Sequence, residues 1–424
     1  MTTTAPLAAG LRSTTTRLDE DVDLLAFAGD EGVLFESTDH GLAGRGQALR
    51  ITLPTGPARA GDAAAVVATV LAGVEARDEV GRPGTGPVAF AAIPFDDAAP
   101  AVAFMPALVV GRAADGTRWV TRVGPVDAAD DVVDAGDPLA PGATSAGPGA
   151  GPSRFTVTSS RSPEDWCAAV VAARDRIRAG GVAKVVLARE VVVEADRPIS
   201  AMDVLGRLRA TYPSAYRFSI DGFVGASPEL LVSRAGDIVR SQPMAGTAPR
   251  SGDPTADARL AASLLASGKD LSEHRITIDA VLDTLLPFCS YVDAEAEPSV
   301  VAVANVQHLA TLVHGRLSSP PASALALATA LHPTPAVGGA PRAAALALRE
   351  ELELLDRGRY AGPVGWVDAA GNGTFAVAVR SAELDGARAR VFAGNGMVAD
   401  SDPVAELAET RAKFQAVLNA IIRP

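Results

Sequence analysis

At 424 residues and 43.1 kDa the chain can bury a large core, as one big domain or two smaller ones, and its formal net charge of -12 argues against nucleic acid or an anionic membrane as partner. Hydrophobic residues make up 48%, yet no run of about 18 lacks breakers or charges, so no membrane span is expected, and the threonine-rich start lacks the basic region of a secretory leader. Two cysteines, Cys167 and Cys289, are too few for a disulfide framework and suit a reducing cytosol, so a cytoplasmic protein is expected.

The first part, 1–135, carries short strand-like runs such as Val88–Ile93 and Ala107–Val110. Gly81–Gly86 is a turn-rich loop, and neither a dinucleotide nor a P-loop fingerprint is present. Gly, Ala, Pro and Ser dominate 136–153, which reads as a flexible connection or long surface loop. Recognisable chemistry lies in 154–424. Ser162-Pro-Glu-Asp-Trp166 opens a helix to about Ala179, Gly180-Gly181 ends it, and Val182–Glu194 is a β-branched strand. Ser200–Ala210 is helical, and Phe218–Ser233 reads as strands around the turn Ala226-Ser-Pro-Glu229. Thr255–Leu286 predicts one long helix, Val300–Leu317 strand, Arg342–Leu355 helix, and Val364–Leu384 with Arg388–Val398 further strands. Strands and helices mix without regular βαβ alternation, which predicts an α+β fold.

The last helix is the best specified. Asp402 caps it, Pro403 suits its first turn, and Glu406, Glu409 and Lys413 recur at i, i+3 and i+7 on one face. Leu407, Phe414, Leu418 and Ile421 form the buried side. A solvated face laced with salt bridges is the ordinary reading of such charges. The preceding run Ala393-Gly-Asn-Gly396-Met-Val398 favours another, because its glycines let backbone approach a ligand. A glycine-lined turn feeding a carboxylate-bearing helix suits a metal and an anion.

Other residues could do chemistry. Lys184, near the start of an apolar strand, is either a snorkelling edge residue or a desolvated lysine able to act as a base. Glu229 is an ordinary turn acid or, if buried, a carboxyl raised enough to donate a proton. Asp270 and Glu273 share a helical face, as Glu406 and Glu409 do, and two such pairs could hold Mg²⁺. Arg380 and Lys413 are anion partners, and the turn Ser241–Thr247 could present backbone N–H groups and a hydroxyl. The histidines show no zinc spacing; His308 and His314 read as core or edge residues.

Taken in order, these segments resemble the chorismate-utilising enzymes, a family that includes isochorismate, salicylate, anthranilate and aminodeoxychorismate synthases. The matching pieces are Lys184–Arg189, Gly225–Glu229, Pro243–Thr247, Lys269–His274, His332–Val337, Tyr360–Trp366, Phe375–Arg380, Gly394–Val398 and Glu406–Lys413. The resemblance implies a large two-sheet antiparallel β-sandwich with helices outside, an active site in the cleft between the halves, a monomer, and chorismate as small-molecule substrate. It implies Mg²⁺ held directly by Glu273 and Glu409, with Asp270 and Glu406 acting through water. It also implies Lys184 as base and Glu229 as acid. Arg380, Tyr360, Lys413 and the Gly394 and Gly396 backbone would surround the substrate carboxylates, and Thr247 and His332 would line the ring. Lys184 stands where ammonia-using members carry glutamine, and Ala245 where aminodeoxychorismate synthases place a nucleophilic lysine, so water is the implied nucleophile. Ala336 replaces a threonine of the salicylate synthases, which points to isochorismate synthase, with salicylate synthase as the alternative. The resemblance leaves open whether the product feeds menaquinone or a catecholate siderophore.

Overall fold

The computed structural model describes residues 8, 10–56, 59–127, 139–142, 151–303 and 306–423, so most of the 136–153 connection lies outside the described residues. Its strands gather into sheets of thirteen, nine and three. Nearly all pairings are antiparallel; Leu11–Arg17 and Glu75–Asp78 run parallel. The two large sheets are each stitched from both ends of the chain. Val33–Glu36 pairs with Tyr216–Ile220 in one, and Val88–Ala92 pairs with Pro363–Asp368 in the other.

The sheets face each other across a layer of buried aromatic rings. Phe35, Trp119, Phe218 and Phe223 come from the larger sheet, and Phe90 and Trp366 from the smaller. Each such side chain, fully removed from water, contributes about 1.5–3 kcal/mol. Helices cover the outer faces. Leu24–Ala28, Ala201–Thr211 and Pro403–Ile422 pack on the larger sheet, while Arg59–Ala72, Gly268–Leu285 and Ala324–Leu331 pack on the smaller. The fold is therefore α+β, a two-sheet sandwich with external helices. Coverage on both sides explains why strands such as Lys184–Ala195 read as nearly continuous apolar runs.

Two expectations change at the level of elements. The single helix expected over Thr255–Leu286 is two, Pro254–Ala266 and Gly268–Leu285. Ser267 leaves helical geometry between them (φ -77°, ψ 107°), and its hydroxyl accepts from the Asp270 N–H, so one residue ends one helix and caps the next. The stretch Val300–Leu317 folds as Ser299–Ala302, Val306–Ala310 and Val313–Leu317, which puts His308 and His314 on different strands. No helix among the described residues is long and apolar enough to cross a membrane.

Candidate active site

A cleft of about 160 Å³ opens where the large sheet, the three-stranded sheet and two helices meet. Alternation along Lys184–Ala195 builds one wall. Val185 and Leu187 pack beneath the helices Pro163–Arg178 and Arg342–Glu353, which leaves Lys184 and Val186 on the cleft side. Lys184 is 1% exposed, so it is not a snorkelling edge residue. Its ammonium stands 2.6 Å from Glu273 Oε1. Gly396 makes the space: a Cβ there would lie 2.5 Å from Lys184 Cε and 3.2 Å from Glu273 Oε1. Burial alone would push the Glu273 carboxyl up, but the Lys184 charge and hydrogen bond, with Lys413 and Lys269 behind, hold it below its usual value.

Glu229 sits where the chain leaves one large sheet for the other, between Phe223–Ser227 and Leu230–Ala235. Ser227 fixes the corner, its hydroxyl donating to Val377 O and accepting from the Glu229 N–H. The carboxyl is buried, and burial pushes it up to about 7, against smaller opposing effects of the Met244 N–H, Lys184 and Arg380. At neutral pH it is poised to give up a proton.

The expected turn at Ser241–Thr247 is instead the end of one strand, Ile238–Gln242, and the start of another, Met244–Pro249, which has a bulge between Ala245 and Thr247. Gly246 takes φ +79° there and lies against Asp270. Thr247 pairs across the sheet with His308. The His308 Nδ1 lies 3.3 Å from Gly246 O, an acceptor only, so Nδ1 carries the proton and Nε2 accepts from the Arg380 guanidinium at 3.2 Å. Burial first, then the charges of Arg380 and Lys413, push this imidazole down to about 3 and keep it neutral. The Thr247 hydroxyl, 3.1 Å from the same Nδ1, accepts, which leaves its own proton for a ligand. Arg380 is held with φ +54°, a strained left-handed conformation for a non-glycine residue.

The last helix delivers Glu406, Glu409 and Lys413 to the cleft, with Asp402 accepting from the N–H groups of Val404 and Ala405. Glu406 is buried, so this is not a solvated face. Lys413 donates to Gly394 O, Asn395 Oδ1 and Glu409 Oε1 at 2.9, 2.9 and 2.7 Å, and thereby uses all three of its protons. Asn395 also donates to Glu406 Oε2 at 3.0 Å. Tyr360 lies buried against Gly394 and stacks on Phe392. Ala336 is on the cleft wall.

His332 is elsewhere. Its Nε2 lies 3.0 Å from Phe95 O and its ring packs edge-on to Phe95, and it does not line the cleft. The remaining sequence-expected residues all do: Lys184, Glu229, Thr247, Asp270, Glu273, Ala336, Tyr360, Arg380, Gly394, Gly396, Glu406, Glu409 and Lys413.

The four acids come as two pairs, each one helical turn apart. Burial, and then the neighbouring Glu409 charge, push Glu406 up, the kind of repulsion a bound cation would relieve. Glu273 and Glu409 are meanwhile engaged by lysines, and among the described residues no three acidic, His or Cys side chains converge on one point. Such a donor set fits Mg²⁺ taken through one or two carboxylates with water and ligand oxygens completing the shell, and does not form a closed all-protein cage.

A family model for chorismate binding enzymes matches residues 26–422. A putative isochorismate synthase, MenF, of Mycobacterium tuberculosis is 40% identical over 355 residues, covering 80% of this chain and 88% of that protein. The chain belongs to the chorismate-binding enzyme family. A solved structure of a putative 2,3-dihydroxybenzoate-specific isochorismate synthase, DhbC, from Bacillus anthracis matches with TM-score 0.75 at 31% identity, over 93% of this chain and 96% of that one. The menaquinone-specific isochorismate synthase MenF of Escherichia coli matches with TM-score 0.78 at 22% identity, over 98% and 95%, a likeness of fold.

Three features of this cleft escaped the sequence reading. His308 lines it, and only the long-range pairing of its strand with Met244–Pro249 reveals this. Asn395 couples Lys413 to Glu406, and its place between two glycines was the available signal. Arg357 and Glu353 form a fully buried pair. Glu353 accepts from the Ala188 N–H, and Arg357 donates to Val186 O and Val337 O, so the pair ties the Lys184 strand to the Ala336 loop.

Proposed function

We propose that the protein is an isochorismate synthase, converting chorismate to isochorismate with Mg²⁺. One observation carries the reading. A buried lysine and a buried carboxyl raised to about 7 line the same cleft as two acid pairs, in a chain 40% identical to a putative isochorismate synthase. In the proposed reaction a water oxygen bonds to C2, the ring double bonds shift, and the C4–O bond breaks. Lys184, once its ammonium has given up its own proton to solvent, takes a proton from the attacking water, and Glu229 gives its proton to the departing C4 hydroxyl, which leaves as water. Exchange with solvent restores both groups, and microscopic reversibility lets the enzyme run from either side.

Bound Mg²⁺ would supply a positive charge for the ring carboxylate, with Glu273 and Glu409 as direct ligands and Asp270 and Glu406 acting through water. Arg380 offers its remaining N–H groups to a carboxylate, oriented by the neutral His308. Thr247 can donate to the bound ring substituents for the reason given above. Ala336 presents no hydrogen-bonding group to the ring, which supports release of isochorismate over its further breakdown to salicylate and pyruvate. Chromatography of purified enzyme with chorismate and Mg²⁺ tests the reading. A chorismate–isochorismate equilibrium reached from both directions is expected. Salicylate and pyruvate as main products in equal amounts would make the enzyme a salicylate synthase instead, and no turnover would remove the enzymatic reading.

A further inference from the structure

The chain has 38 lysine and arginine residues, and only three of them are lysine: Lys184, Lys269 and Lys413. All three line the cleft, alongside Arg357 and Arg380, while every other cationic residue in the protein is arginine. Where this chain needs a solvated charge, a surface ion pair or a helix-end cation, it uses arginine. Lysine is kept where a compact ammonium and a guanidinium are not interchangeable. For two of the three the reason is visible. Lys184 threads past Gly396 in a space where even a Cβ would clash with its stem. Lys413 sends its three protons to three oxygens around one nitrogen.

Lys269 shows no such internal reason. It is exposed, and makes no hydrogen bond or ion pair among the described residues. It stands in the first turn of Gly268–Leu285, at the positive end of the helix, where a cation is locally disfavoured. Meanwhile the protons of Lys413 are taken by the protein and Lys184 is held by Glu273, which leaves Lys269 as the one cleft ammonium with its donors unspent. A protein of net charge -12 that admits a small dianion needs such a group at the entrance.

We propose that Lys269 is a substrate-binding residue whose ammonium forms a direct ion pair with a carboxylate of the bound substrate at the cleft mouth. This rests on the functional reading above, with chorismate as the dicarboxylate. The pair forms on binding and persists through the reaction, so it acts on ground state and transition state alike.

Steady-state kinetics with chorismate and Mg²⁺ on wild type, Lys269→Met and Lys269→Arg test it, each variant first checked for an unchanged melting temperature. Lys269→Met should raise KM roughly tenfold, the loss of one charge-assisted contact, with kcat within about twofold and a weaker dependence of kcat/KM on ionic strength. Lys269→Arg should restore the salt dependence and only part of the KM. An unchanged KM in Lys269→Met overturns the proposal, as does a fall in kcat at constant KM. Full recovery of KM in Lys269→Arg overturns the requirement for an ammonium. Wild-type enzyme that neither binds nor converts chorismate is a different failure, since it overturns the functional reading and this inference with it.

Discussion

Glu229→Gln should separate stability from activity in opposite directions. The wild-type carboxyl titrates at about 7 in the fold against a usual 4.5, because burial disfavours its charged form. Between those values the folded protein keeps a proton that the unfolded chain has released. Stability therefore falls as pH rises through this window, and the full cost is present above about pH 8. A gap of that size corresponds to about 3 kcal/mol. Glutamine has nearly the same shape, can still accept from the Met244 N–H, and never ionises. The variant should match wild type near pH 4 and exceed it at pH 9 by about 3 kcal/mol, a gain of about 3 °C in Tm for a chain of this length. Its turnover should fall by about 10²–10⁴-fold, since the amide cannot protonate a leaving hydroxyl. Wild-type kcat/KM should lose activity on an alkaline limb near pH 7 that the variant lacks. Calorimetry at the two pH values and an isochorismate assay check both halves. A Tm difference independent of pH would refute the buried-carboxylate argument, and near-normal turnover would refute the acid role.

Lys184→Met should lower turnover by about 10²–10⁴-fold with chorismate binding retained, and should lower Tm by stranding Glu273; adding Glu273→Gln should recover the Tm and not the activity. Glu273→Ala and Glu409→Ala should abolish Mg²⁺-dependent turnover, while Glu406→Ala should cost about 10–100-fold; full wild-type activity in EDTA would overturn the metal assignment. Arg357→Met should destabilise by up to about 3–5 kcal/mol in urea titrations, because buried Glu353 keeps only its longer 3.6 Å contact with Arg349, and Glu353→Gln added to it should return part of that loss. Ala336→Thr, which adds a hydroxyl and a methyl to the cleft wall, should raise the salicylate fraction seen by chromatography; an unchanged product ratio would remove this position from control of the outcome.

What could be read from the sequence depended on the range over which it was encoded. The capped last helix was legible because Asp402, Pro403 and the spacing of Glu406, Glu409 and Lys413 are local. The break at Ser267 was missed although Ser267-Gly268 is a local breaker signal, and the serine's capping role shows only once its hydroxyl is seen to accept from Asp270. His308 is buried as a core reading expects, but its place on the cleft wall escaped for a different reason. Its role depends on which strand its own strand pairs with, and nothing within the run 300–317 specifies Met244–Pro249 as the partner. His332 failed in the opposite sense: a motif placed it near the ring, while Phe95, from far along the chain, takes up both its ring and its Nε2. Lys269 was not singled out in the sequence reading; the signal available was composition, since only three of the 38 lysine and arginine residues are lysine.

The charges in the cleft favour Glu229 over its neighbours as the proposed acid. Glu273 is in contact with Lys184, and Glu409 with Lys413. Glu406 is lowered first by the Ser401 hydroxyl and then by a hydrogen bond from Asn395, and these, with weaker help from Lys413, offset part of its burial and of the repulsion from Glu409. Glu229 has no cation in contact among the described residues, and its Oε1 accepts only a long hydrogen bond, 3.5 Å from the Met244 N–H. A carboxyl with a contacting ammonium is held ionised and cannot serve as an acid at neutral pH; one at the same depth without a partner keeps its proton. The corner between the two large sheets provides that isolation, because the chain crossing at Ser227-Pro228-Glu229 brings apolar strands to either side and no basic residue of its own. Moving a lysine or arginine into contact with Glu229 should therefore abolish the acid function without touching the carboxyl itself.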